Sequence, residues 1–197
     1  MTGEVIPIAA LDGGRLDLSD AQLITLCACG DRAAPEVLFR RFYKDVHRFL
    51  ARITREERWE IDDMVQDTFV QIFKSAARYN GKSSVRTWLL GVAANVAKNH
   101  IRRKSRMRRK MKALKLEPAP EIAGPSRLAG RREELRQVER AMSLLDHDHL
   151  VVFVMCAVEG IPGTEAAKLL GLRNGTLWRR LHEARKQIAE EIKGGAR

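Results

Sequence analysis

From Ser19 onward the apolar residues of this chain return every three or four positions, and runs alternating every second position with hairpin turns do not occur. That rhythm belongs to amphipathic helices, not strands. Ser19 followed by Gln22 is the pattern of a capping box, so a short helix is expected to run to about Cys29. Gly30 stops it and Asp31 can cap the next. Val37, Leu38, Phe42, Val46, Phe49, Leu50 and Ile53 then stripe a helix over about 32–53. After the polar break TREERWE, a third helix spans about 60–77, closed by the turn signal Tyr79-Asn80-Gly81. A fourth starts near Ser84 and continues into a basic tail.

The second half repeats the helical rhythm after an interruption. LEPAPEIAGPSR holds three prolines and one glycine and has little periodicity, so it reads as a tether. Beyond it come a helix over about 131–145, the apolar run LVVFVMCAV, a Gly-Ile-Pro-Gly break, a short helix over 164–170, the turn GLRNG and a last helix over 176–192. By composition LVVFVMCAV could be a buried strand, but no partner strand lies nearby, and helix is the expectation. The fold class is all-α: two small helical domains over 19–110 and 130–193, joined by a flexible linker over 111–129 and preceded by a mobile leader over 1–18.

Composition narrows the function. Lys and Arg number 36 against 25 Asp and Glu, a net charge of +11, which favours a polyanionic partner. No apolar run approaches the ~18 residues of a membrane span, and the N-terminus lacks the basic and apolar regions of a signal peptide, so no membrane insertion and a cytoplasmic location are expected. Three cysteines cannot make a disulfide framework.

Three surfaces carry candidate chemistry. On the third helix Ile61, Met64, Val65, Thr68, Phe69, Ile72, Phe73 and Ala76 share one face, leaving Asp62, Asp63, Gln66, Asp67 and Val70 on the other. Carboxylates gathered on a very basic protein, with an apolar residue among them, suit a basic protein partner; acids near a helix N-terminus also suit the macrodipole. The fourth helix holds ten cations and no acid between Lys98 and Lys115, with Asn95 and Asn99 one turn apart. Amides beside cations can read base edges while the cations hold phosphates. Third, TEAAKLLGLRNGTLWRRLHEAR has the shape of a helix–turn–helix, with Gly171 permitting the tight turn and Gly175 a close approach. Leu177, Leu181, Ala184, Ile188 and Ile192 stripe its second helix, opposite Trp178, Arg179 and Glu183.

These three segments, in this order, resemble bacterial sigma factors of the extracytoplasmic-function (ECF) type. DDMVQDTFVQIF is similar to their region 2.2, RTWLLGVAANVAKNHIRR to regions 2.3 and 2.4, and TEAAKLLGLRNGTLWRRLHEAR to region 4.2. The resemblance implies a transcription initiation factor without cofactor or catalytic residues. Asp62, Asp63, Gln66, Asp67 and Val70 would meet the clamp helices of the RNA polymerase largest subunit, and the C-terminal domain would meet the polymerase flap. Asn80, Lys82 and Ser83, with Asn95, Lys98, Asn99, Arg102 and Arg103, would bind and help melt the minus-10 element of promoter DNA. Arg173, Asn174, Thr176, Trp178, Arg179, Arg180 and Glu183 would face the minus-35 element. An anti-sigma factor is the implied regulator. The chain departs from the family in Asn99, where Asp is frequent, in Ala166 for Ile, and in Arg179 for a small residue.

Two rival readings remain open on the residues alone. One is a helix–turn–helix regulator that works without polymerase, against which the acidic face of the third helix argues. The other is a metalloenzyme built on Asp146-His147-Asp148-His149, a weak pattern with no second ligand cluster.

Overall fold

The computed structural model describes residues 17–113 and 133–194. Most of the leader and most of the tether therefore lie outside the described residues. Within the described residues every regular element is helical.

The capping box forms as the sequence predicts: Gln22 N–H donates to Ser19 Oγ at 3.3 Å, and Ser19 N–H donates to Gln22 Oε1 at 2.8 Å. It opens α1, Asp20–Ala28. Asp31 Oδ1 takes the free amides of Ala33 and Ala34 and so starts α2, Ala34–Thr54. The polar break is a left-handed turn at Arg55, whose φ is 56°. Then come α3, Arg58–Ser75, with a 3-10 turn over Ala76–Arg78, and α4, Val85–Ala113. α4 is one continuous helix that runs past the expected tether boundary at 111.

α2, α3 and α4 pack against one another, and α1 lies across α2. The stripe expected on α2 is buried along its whole length, from Val37 to Ile53. α3 buries Ile61, Met64, Val65, Thr68, Phe69 and Ile72, the face its period indicates. Thr68 is tolerated inside because its hydroxyl donates to the Met64 carbonyl at 2.7 Å.

The second lobe contains α5, Glu133–Leu144; α6, His147–Phe153; α7, Gly163–Leu170; and α8, Asn174–Gly194. The run LVVFVMCAV is helical, as expected. Its second half, Val154–Val158, widens into a π turn in which Glu159 N–H reaches back to the Val154 carbonyl. Gly171, at φ 64°, ends α7 in the left-handed conformation the tight turn requires. Gly175 sits in open space, so the close approach expected there is not made.

The lobes are not beads on a string. Their buried apolar residues form one connected cluster, and α7 lies on α4. Gly91 of α4 permits the contact, since a β-carbon there would fall 2.9 Å from Leu169 Cδ2. Arg55 crosses the seam to donate to the Met142 and Leu145 carbonyls at 2.8 and 2.7 Å, satisfying the open end of α5.

Phe49 is fully buried where α2 meets its neighbours. Phe49→Ala is expected to cost about 3–5 kcal/mol, read as a lowered midpoint in urea unfolding, with the helical spectrum retained below the transition.

Candidate nucleic-acid interface

α3 carries the first candidate surface. Asp63, Gln66, Asp67 and Val70 are exposed, and Asp63 and Asp67 have no ion-pair partner among the described residues. Asp62 differs: it is half-buried, accepts from the Tyr43 hydroxyl at 3.5 Å and lies 3.5 Å from His47 Nε2. Trp59, 65% exposed, shares the face of Asp63, Gln66 and Val70 at helical spacing. The sequence reading missed it, although the i, i+4, i+7, i+11 spacing from Trp59 to Val70 was there to find.

The second surface is the loop over 79–84 and the outer side of α4. Tyr79 donates to the Ser83 carbonyl at 2.6 Å, and Asn80 Oδ1 accepts the Lys82 amide at 3.1 Å, which rigidifies the loop. Asn80 and Lys82 are exposed and Ser83 half-buried. Ser84 Oγ accepts the Thr87 amide and so starts α4. Along α4, Asn99, Arg102 and Arg103 are exposed, while Lys98 is half-buried; Asp67 of α3 lines the same groove as Asn99 and Arg103. An open groove of about 630 Å³ runs along α3 and α4, lined by Asp67, Gln71, Asn95, Asn99, Arg103 and Arg106 among others. Amides and guanidinium groups in one trough suit an extended strand of nucleic acid.

Two residues of the basic helix are already engaged. Lys104 Nζ sits between Glu56 and Glu60, 3.0 Å from Glu60 Oε1, with the Glu56 contact shorter still. Burial alone would lower the Lys104 ammonium; the hydrogen bonds to the two carboxylates outweigh it and hold the group above its ordinary value. Lys104 therefore ties α4 to the start of α3 and is no phosphate contact. Asn95 spends its amide hydrogens on the Gly91 carbonyl at 3.0 Å and, across the seam, on the Leu169 carbonyl at 3.2 Å.

The third surface is the helix–turn–helix. Arg173, Asn174 and Arg179 are exposed at the start of α8, and Thr176 is half-buried. Trp178 is 50% exposed but lies against the backbone of Gly163, where a β-carbon would come within 2.7 Å of the indole. Arg180 pairs with Asp148 at 2.6 Å. Glu183 takes a hydrogen bond from His149 Nε2 at 2.8 Å. Of the seven residues expected on this face, Arg173 and Arg179 are thus the cations that no carboxylate among the described residues holds in an ion pair.

The run Asp146-His147-Asp148-His149 has a structural part for each member. Asp146 caps α6 by accepting the His149 amide at 3.0 Å and also holds His149 Nδ1 at 2.6 Å. His147 Nδ1 donates to the Ile53 carbonyl at 3.0 Å, across the seam. Burial first, against a hydrogen bond that opposes it, keeps His147 below the ordinary imidazole value and so neutral.

This layout coincides with what the chain resembles. Residues 38–107 match Sigma-70 region 2, and residues 135–188 match Sigma-70, region 4. The ECF RNA polymerase sigma factor SigC of Mycobacterium tuberculosis (strain CDC 1551 / Oshkosh) is 30% identical over 175 residues, covering 86% of this chain and 91% of the relative. The chain belongs to the ECF sigma factor family. SigM of Mycobacterium tuberculosis (strain ATCC 25618 / H37Rv), another ECF sigma factor, is 29% identical over 177 residues, 90% of this chain and 86% of the relative. Two solved structures share the fold. CnrH in complex with the cytosolic domain of CnrY aligns with a TM-score of 0.60 at 23% identity, covering 89% of this chain and 97% of that one. The sigma factor RpoE in complex with the anti-sigma factor NepR, from Bartonella quintana, aligns with a TM-score of 0.60 at 20% identity, covering 79% and 94%. No helix among the described residues is long and apolar enough to cross a membrane.

His149 gives this ECF sigma factor a pH dependence of known sign. Burial would lower the imidazole, but the hydrogen bonds to Glu183 and Asp146 prevail and raise it above 6.5. A raised histidine stabilises fully below its unfolded value and loses that contribution as pH climbs through the folded one. The thermal midpoint of the wild type should exceed that of His149→Ala at about pH 6, and the gap should narrow by about pH 9. A gap that widens with pH would contradict the assignment.

Proposed function

We propose that this ECF sigma factor recruits RNA polymerase core through the outer face of α3 and carries promoter DNA on α4 and α8. Asp63, Gln66, Asp67 and Val70, with Asp62 at the edge and Trp59 added, meet the clamp helices of the largest polymerase subunit, and the second lobe meets the flap. Asn80, Lys82, Ser83, Asn95, Lys98, Asn99, Arg102 and Arg103 serve the minus-10 element. Arg173, Asn174, Thr176, Trp178 and Arg179 serve the minus-35 element, with Arg180 and Glu183 holding α8 in place rather than reading bases. The chain acts as an initiation factor, not an enzyme, in the cytoplasm where polymerase and promoters are. An anti-sigma factor controls it, a reading supported by the complex of the sigma factor RpoE with the anti-sigma factor NepR.

The observation that carries this reading is the sorting of unpaired charge. In a chain of net charge +11, Asp63 and Asp67 are exposed on α3 with no ion pair among the described residues, while α4 carries exposed cations at Arg102, Arg103 and Arg106 and the start of α8 carries Arg173 and Arg179. A helix–turn–helix regulator acting without polymerase has no use for the α3 face. Transcription in vitro with bacterial core polymerase on a promoter library, with and without the chain, is the direct test; no promoter-specific transcript would refute it.

Two substitutions sharpen the assignment. Asp63→Lys with Asp67→Lys leaves the buried stripe of α3 intact, so the protein should fold normally and lose most of its affinity for core. An unchanged dissociation constant would remove α3 from the interface. Arg179→Ala should cost about 1–3 kcal/mol and relax preference at one base pair, read by selection from randomised minus-35 sequences. Uniform weakening of all sequences would make Arg179 a phosphate contact instead.

A further inference from the structure

Where α4 leaves the core it meets a cluster that neither the promoter surfaces nor the polymerase surface uses. Glu56 lies in the turn between α2 and α3, and Glu60 follows one helical turn later in α3. His100 and Lys104, also one turn apart, face them from α4. The side chains of Glu56, Glu60 and His100 are only 13%, 10% and 14% exposed. Two features make this more than an ion pair. Two ionised carboxylates carry −2 against the +1 of Lys104, and unmatched charge away from water is costly. His100 Nε2, moreover, is a buried nitrogen with no hydrogen-bond partner among the described residues, 3.6 Å from Glu60 Oε1. Buried polar atoms are nearly always satisfied, so an open one aimed at two carboxylates points to a ligand that all three share.

The geometry suits a metal ion. One ligand atom from each of Glu56, Glu60 and His100 lies within 4.8 Å of the other two. Ligands held about 2.0–2.1 Å from a tetrahedral zinc stand about 3.3 Å apart. The His100–Glu60 pair is already near that spacing, and side-chain rotation brings in Glu56. An imidazole in the set favours Zn²⁺ over Mg²⁺ and Ca²⁺, which take oxygen ligands. Three protein ligands leave a fourth position for water. His100 also lines the open groove along α3 and α4, which gives an ion a path in. Lys104 stands where the ion would: its ammonium touches both carboxylates, 3.0 Å from Glu60 Oε1. Its side chain is 30% exposed, so the long stem can carry the charge out to water.

We propose that Glu56, Glu60 and His100 form a binding site for a divalent cation of the zinc type, and that the ion enters by displacing the Lys104 ammonium. A dication matches both carboxylates and the open imidazole nitrogen at once, where the ammonium matches the carboxylates alone. It would fasten α4 to the start of α3 more firmly than the ion pair does. Because Lys104 occupies the site most of the time, the apparent affinity for metal is lowered by the fraction of time the site is clear. Nothing in this site depends on how promoter DNA is read.

The test titrates the full chain, tag-free and stripped with chelator, with zinc chloride in a calorimeter. Glu60→Gln and His100→Ala should each weaken binding about tenfold or more, since even changes outside the ligand shell cost that much. Lys104→Ala should tighten it about tenfold, because the competitor is gone. In thermal unfolding, metal-free Lys104→Ala should melt below wild type, and zinc should restore it where magnesium does not. Cobalt in place of zinc should give d–d absorption without the sulfur charge-transfer band that Cys27, Cys29 or Cys156 would add. The proposal is overturned if wild type and Lys104→Ala both ignore zinc, or if Lys104→Ala binds no more tightly than wild type. Binding that survives both Glu60→Gln and His100→Ala would place the ion elsewhere, and equal rescue by magnesium would reduce the cluster to a plain acidic patch; either result also overturns it.

Discussion

Everything in this molecule turns on how the circumference of α4 is divided. A helix advances about 100° per residue, so one rod can show three different faces to three environments. Leu89, Leu90, Ala93 and Ala97 go inward against α2 and α3. Gly91 and Asn95 meet α7, and Lys98 borders the same crevice. Asn99, Arg102 and Arg103 remain in water. Small residues are what make the division workable, because alanine and glycine let two neighbours approach without widening the helix spacing. Any bulky residue at Gly91 would have to displace Leu169 and with it the second lobe.

The acids of the chain explain how so basic a protein packs against itself. Glu56 and Glu60 neutralise Lys104 where α4 leaves the core. Glu159 neutralises Arg52 and Arg86 at the seam, and Asp148 takes Arg180. Each removes a cation from the pool that could meet phosphate. Arg102 and Arg103 on the outer side of α4 and Arg173 and Arg179 at the start of α8 are left exposed.

This is also where the limits of reading the sequence lie. The helices, the capping box at Ser19, the cap at Asp31 and the buried stripe of α3 all follow from residues three or four positions apart, and those were legible. So was the two-lobed, all-helical plan, together with the helix–turn–helix and its left-handed Gly171. The seam was not. Arg52 and Glu159 are 107 positions apart, and Arg86 and Glu159 are 73 apart, so no local spacing announces them. The Asp-His-Asp-His run looked like stray metal chemistry because its partners, Ile53, Arg180 and Glu183, lie on other helices. Trp178, Arg180 and Glu183 were legible as one face of α8 but not as groups already occupied by their own lobe. The engagement of Lys104 was hidden in the same way, inside a run whose composition suggested ten equivalent cations.

The π turn over Val154–Val158 has a consequence for how this segment can change. One extra residue is accommodated in a single helical turn, and the register it sets is what points Glu159 across the seam. Replacing one apolar residue of the turn by another alters packing but leaves that register alone. Deleting a single residue would let the turn relax to ordinary α-helical hydrogen bonding and swing Glu159 by about 100° away from both arginines. For these five positions it is length, more than identity, that is under constraint: the segment can drift in sequence freely within its apolar alphabet, yet it has no tolerance for a one-residue insertion or deletion.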